Sequence, residues 1–163
     1  MRYSSIAALS LIIMSLAFTP LLAQFEPPPI PDMTIEEAIA AIQSTRESQR
    51  IKGARLLESK GPKAKEAVPV IIGLLRDEGP LIRMDLLHVL VAIGEPAGEA
   101  VPELMEGLSH DDFHVRYLCC RALGGVGKAA RPAVQPLIKA LKDSNPSVRR
   151  NAASALGKLG PKV

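Results

Sequence analysis

The chain has 163 residues, the size of one domain, and 47% of them are hydrophobic, which is ample for a core. Aromatics make up only 3%, with no Trp, while Ala and Leu dominate. That composition suits helices packed through small aliphatic side chains and argues against β-rich folds. The net charge of +3 is too small to imply nucleic acid by itself, but it is unevenly spread. Residues 95–127 hold six acids against two arginines, and residues 128–163 hold eight basic residues against Asp143 alone.

Residues 1–23 have the pattern of a secretory signal peptide: Arg2, an apolar run from Ile6 to Phe18, and Pro20 before Leu21-Leu22-Ala23. Cleavage is expected after Ala23, which makes the protein secreted or periplasmic. An uncleaved membrane anchor is the alternative, and membrane contact is expected only in that case. Residues 24–33 are rich in proline and read as an extended spacer.

From residue 34 onward the chain repeats itself with a step of 33. Gly61, Gly94, Gly127 and Gly160 keep this step, as do Arg50, Arg83, Arg116 and Arg149, and Leu57, Leu90, Leu123 and Leu156. Apolar columns follow it too: Ile35, Val68, Val101 and Val134, then Ile42, Leu75, Leu108 and Leu141. Thr34 with Glu37 forms a capping box at the first helix. In the last unit Val134, Leu137, Ile138 and Leu141 make one apolar helix face. Asn145-Pro146 then starts a second helix, whose apolar set is Val148, Ala152, Ala155, Leu156 and Leu159, and Gly160 ends it. A single hairpin cannot bury both faces, whereas four in a row share one core. The expected fold is an all-α, right-handed α-solenoid of four helical hairpins over residues 34–163, with repeats at about 34–61, 62–94, 95–127 and 128–160.

The stretches from Ala133 to Asp143 and from Asn145 to Gly160 resemble bacterial HEAT-like repeats, similar to those of phycobilin lyase subunits. The resemblance covers residues 34–163 and specifies fold far better than function. It implies that Arg50, Arg83, Arg116 and Arg149 are structural, bonding across the turn toward acids such as Asp77 and Asp143. The third repeat departs by placing His110 in that acid column. Hydroxylases of similar architecture use His-Glu dipeptides as iron ligands, and none occurs here: His88 precedes Val, His110 precedes Asp and His114 precedes Val.

No catalytic motif, phosphate loop or cofactor signature is legible, so no enzyme activity, cofactor or small-molecule substrate is expected. His110 and His114 have a spacing that could share a metal on one helix face, but the repeat register puts Asp112 at a helix N-cap between them. No metal site is therefore expected. Cys119 and Cys120 align with Leu86-Leu87 and Ala152-Ala153 and read as buried small hydrophobes. The acids Glu95, Glu99, Glu103 and Glu106 are expected to form ion pairs with the next repeat, Glu95 with Lys128 and Glu106 with Lys139.

The most informative surface is the second-helix face, which lines the concave side in such architectures. In the last repeat it centres on Arg150, Ser154 and Gly157, and steps of 33 bring in Tyr117, Arg121 and Gly124, then Met84, His88 and Val91, then Ile51, Arg55 and Glu58. Tyr and Arg dominate binding hot spots. Tyr117, Arg121, Met84, His88, Arg150 and Arg55 are thus candidate contacts for a partner protein or acidic peptide. The chain reads as a non-catalytic scaffold in the cell envelope. The alternatives are an accessory subunit of an envelope enzyme or cofactor lyase, and anionic-surface or nucleic-acid binding through the basic last repeat, which the export signal disfavours. The apolar pattern of that last repeat also points to self-association there.

Overall fold

A computed structural model describes residues 33–77 and 80–160. The signal segment and nearly all of the proline-rich spacer lie outside these residues. Four helical hairpins follow one another: α1 (Ile35–Ile42) with α2 (Glu47–Lys60), α3 (Val68–Asp77) with α4 (Pro80–Ile93), α5 (Val101–Gly107) with α6 (Phe113–Gly125), and α7 (Val134–Ala140) with α8 (Pro146–Leu159). No strand occurs among the described residues.

Local chemistry sets the helix ends. Thr34 and Glu37 form the reciprocal capping box of α1. Asp112 caps α6 by accepting from the His114 N–H at 2.8 Å, and Asn145 caps α8 by accepting from the Ser147 N–H at 2.8 Å. Gly61, Gly94, Gly127 and Gly160 have φ of 55°, 70°, 62° and 74°, left-handed values that a side chain would resist. Beyond the first three of these glycines the chain runs through a 3-10 segment straight into the next first helix: Gly61–Ala67, Glu95–Ala100 and Gly127–Ala133.

The core is one continuous cluster. Leu57, Leu90 and Leu123 are each fully buried, as are Ala64, Ala97 and Ala130, then Ala67, Ala100 and Ala133. These alanine columns let successive 3-10 segments stack closely. The second helices pack on one another along the stack, α2 on α4, α4 on α6 and α6 on α8, while first helices meet each other far less. Dense contact in one layer and sparse contact in the other curves a stack toward its second-helix side.

The last hairpin buries its apolar face incompletely. Leu137 is fully buried, but Ile138 and Leu141 are 42% and 38% exposed, and Leu156 is half-buried where its three repeat equivalents are fully enclosed.

Candidate functional site

The second-helix layer presents a row of cations. Arg55 on α2, Arg121 on α6 and Arg150 on α8 are exposed, with the half-buried Met84 and His88 of α4 and Tyr117 of α6 among them. Met84 and Tyr117 rest their apolar parts on the core, and Tyr117 lies edge-on to the His114 ring at 6.0 Å. His88 Nδ1 stands 4.0 Å from Glu58 Oε1. Burial raises the nearby Asp85 carboxyl above its usual range, against the opposing pull of His88 and Arg55.

One position expected on this face is taken into the packing. Gly124 is buried, and a Cβ there would come within 3.0 Å of the Ala155 Cα. It is a contact point between α6 and α8 rather than a surface residue. Val91 of α4 is half-buried, as Met84 and Tyr117 are, and lines the groove beside this seam. Beside this seam runs a groove of about 240 Å³, lined by Arg121, Asn151, Ser154 and Lys158 over a floor of Gly124 and Ala155. Sequence reasoning missed Lys158 as a groove residue; its position one turn beyond Ser154 on α8 is the signal that could have found it.

The recurrent arginines work at the turns. Arg50 Nη1 donates to the Ser44 and Thr45 carbonyls, and Arg149 Nη1 to those of Asp143 and Ser144. Arg116 Nη1 does the same with His110 and Asp111, both at 2.8 Å. Its other edge forks onto the next repeat: Nε reaches Asp143 Oδ2 at 2.8 Å and Nη2 reaches Oδ1 at 3.0 Å. These hydrogen bonds hold the Asp143 carboxyl below the usual carboxylate range. One arginine thus closes its own turn and clasps the following one.

The turn residue opposite has a second task. Ser44 Oγ accepts from the Arg46 N–H, His110 Nδ1 from the Asp112 N–H at 3.0 Å, and Asp143 Oδ1 from the Asn145 N–H at 2.8 Å. His110 therefore sits in the turn beyond α5 and serves as a turn acceptor. His114 Nδ1 pairs with Asp112 at 3.0 Å in the cap of α6. Among the described residues no three His, Cys, Asp or Glu side chains come together as metal ligands.

The expected acidic ladder is also rearranged. Glu95–Lys128 and Glu106–Lys139 are not among the ion pairs of the described residues; Glu103 instead pairs with Arg76 of the preceding repeat. Both arginine–carboxylate pairs between repeats, Arg76–Glu103 and Arg116–Asp143, span 27 residues rather than 33. Positions one period apart lie side by side but on parallel outward paths, whereas a side chain leaning along the stack meets a position earlier in the next unit.

Cys119 and Cys120 are both buried and unpaired with each other. Burial pushes each thiol up to about 12, so neither is a thiolate nucleophile near neutral pH. Among the described residues, no helix is long and apolar enough to cross a membrane.

Residues 101–163 match the protein family described as HEAT repeats. None of the curated proteins matches the chain in sequence. Among solved structures, two engineered proteins resemble it with a TM-score of 0.66 each, at 24% and 22% identity over 77% and 78% of this chain. The chain spans 62% and 38% of their lengths. The complex of CpcE and CpcF of phycocyanin lyase from Nostoc sp. PCC7120 is also similar, with a TM-score of 0.58 and 24% identity over 83% of this chain and 69% of that one. At these identities the likeness establishes a shared solenoid fold.

Proposed function

We propose that this solenoid of HEAT-like repeats is a non-catalytic scaffold of the cell envelope that binds an acidic segment of a partner protein along its second-helix face. The observation that carries this reading is the row of Arg55, Arg121 and Arg150 on three different helices, with Tyr117 and Met84 supplying apolar contact between them and Lys158 lining the adjoining groove. An extended acidic peptide crossing the stack would meet one arginine on each of three of the four repeats, and Tyr and Arg are the side chains best suited to anchor it. The export signal read in residues 1–23 supports the envelope location.

The test is direct binding of fluorescent acidic peptides to the mature chain. Tyr117→Ala and Arg121→Ala should each weaken binding at least tenfold with helicity retained, and the exposed Arg121→Ala should leave melting unchanged as well. Retained binding in both, with loss on changing Lys139 or Lys142, would relocate the site to the first helices and refute this reading. A slope of affinity against salt as steep as several phosphate contacts would instead favour an anionic polymer or surface.

A second reading, an accessory subunit that positions another protein's chemistry, is favoured by the fold shared with a phycocyanin lyase complex. Stable co-purification with an enzyme whose activity falls when the Tyr117 face is altered would support it. The exposed Ile138 and Leu141 support self-association through the last repeat, which predicts a mass that rises with concentration in analytical ultracentrifugation.

A further inference from the structure

The groove between α6 and α8 has no carboxylate in its walls. Neither helix contains an Asp or Glu anywhere along its length. Arg121 of α6 and Asn151, Ser154 and Lys158 of α8 supply the polar side chains of the lining. Lys158 comes seven residues after Asn151 and four after Ser154, so the three share one face of α8. The Lys158 stem leans across the seam, since a Cβ on Gly124 would stand 3.5 Å from its Cδ. Gly124 follows Arg121 by three residues on α6, so the two cations reach the groove from opposite helices.

Nothing within the chain answers these charges. Arg121 and Lys158 are exposed, and neither is in an ion pair or a side-chain hydrogen bond among the described residues. Asn151 Nδ2 donates to the Ser147 carbonyl at 2.7 Å, which orients the amide and leaves it a second N–H. The groove runs along the C-terminal halves of α6 and α8, whose ends expose carbonyls rather than N–H groups, so side chains must hold any anion there. At about 240 Å³ it is smaller than the roughly 300–1,000 Å³ of small-molecule sites, and suits one functional group better than a whole ligand.

Charge and donor count select the group. A carboxylate has one negative charge and two oxygens, and would leave one of the cations unmatched. A phosphate monoester carries about −1.5 to −2 charges near pH 7 and three acceptor oxygens. These match two cations flanked by a hydroxyl and an amide donor, and arginine with phosphate forms strong charge-assisted bonds. We propose that the groove seats a phosphate monoester carried by a residue of the partner segment, with Arg121 and Lys158 neutralising it and Ser154 and Asn151 donating to its oxygens. This rests on the second-helix reading above and names the anchoring residue of the acidic segment as a phosphorylated serine or threonine.

The test is calorimetric titration of the mature chain with four probes: a short neutral peptide carrying one phosphoserine, the same peptide with serine, the same with aspartate, and inorganic phosphate. The phosphoserine peptide should bind at least tenfold more tightly than each of the others. Its affinity should fall several-fold between about pH 7.5 and 5.5, because the second phosphate pKa is about 6 and the monoanion matches only one cation, while that of the aspartate peptide should hold. Arg121→Gln and Lys158→Gln should each weaken the phosphopeptide at least tenfold with circular dichroism unchanged. Lys142→Gln, which removes an equal charge from the fourth repeat outside the groove, should change its affinity less than twofold. Equal affinity for the phosphoserine and aspartate peptides, inorganic phosphate binding as tightly as the phosphopeptide, or equal losses at Lys142 and Lys158 would overturn the proposal. If the phosphate adds nothing while the acidic peptides of the scaffold test still bind, the scaffold reading stands and this inference alone fails.

Discussion

Breaking the clasp between the third and fourth repeats should cost more than removing an arginine that bonds only to its own turn. Arg116 and Asp143 are 14% and 12% exposed at their side chains, so solvent screens them only weakly. Arg116→Ala removes two charge-assisted bonds to Asp143 and two to turn carbonyls, and leaves the carboxylate with the Asn145 N–H. Losing one partner of a fully buried pair costs about 3–5 kcal/mol, and because this pair still touches water, about 3 kcal/mol is expected. Arg149→Ala is the control, since the Arg149 bonds shown are to its own turn carbonyls; about 1 kcal/mol is expected there. A double-mutant cycle of Arg116→Ala with Asp143→Ala, read by urea melts, should give a coupling of about 2 kcal/mol, above the roughly 0.2–1 kcal/mol of exposed pairs. Asp143 has a folded pKa below its unfolded value of about 3.9, so its contribution is complete above that pH and lost as pH falls through the folded value. The coupling should therefore persist at about pH 5 and fade below about pH 4. A coupling under about 0.5 kcal/mol, or equal costs for Arg116→Ala and Arg149→Ala, would refute the clasp.

Gly124→Ala should destabilise by about 1–3 kcal/mol, because its Cβ would press on Ala155 by more than the helix propensity gained can offset. Gly157→Ala, with open space around it, should instead stabilise by about 0.5–1 kcal/mol in the same thermal melts. Leu123→Ala should cost about 2–5 kcal/mol in urea melts, and Leu156→Ala, at the half-buried equivalent, about half as much. Cys119 and Cys120 should resist a thiol reagent at about pH 8 in the native state and react together once urea unfolds the chain, because their thiols are pushed up to about 12 and buried; fast native labelling would show that the third repeat opens.

The architecture was legible because the chain states it four times, and the columns of Leu57, Gly61 and Arg50 each mark a different structural task. The 3-10 segments were harder to read. A Gly-Pro step looks like an ordinary break, and only the stacked Ala64, Ala97 and Ala130 reveal a third packed element. The second-helix face was drawn from the last repeat, where α8 packs, among the described residues, on α6 alone of the second helices. In the inner repeats a second helix is flanked on both sides, so the same arc is narrower and takes Gly124 into the packing. Distances across a junction were invisible for another reason. A repeat alignment reports equivalence, not contact, and the arginine–carboxylate pairs run at 27 residues rather than at the 33-residue period.

That 27-residue step explains where this molecule can vary without unfolding. Core columns leave little freedom, since Leu57, Leu90 and Leu123 are each fully enclosed and any change of volume is felt by two neighbouring repeats. A clasp position is different, because the turn needs only some side-chain acceptor, and Ser44, His110 and Asp143 all supply one. What else that residue does is open to selection. Asp143 uses its second oxygen to bind Arg116 and so closes the third repeat onto the fourth. His110 has no second acceptor to give, and its junction holds a cleft with a buried, donor-less Glu103 oxygen. The same repeat carries the excess of acids, Tyr117 and both cysteines. These features set the third repeat apart within the part of the chain that matches the repeat family, and it is from such differences, rather than from the shared fold, that a specific function can be read.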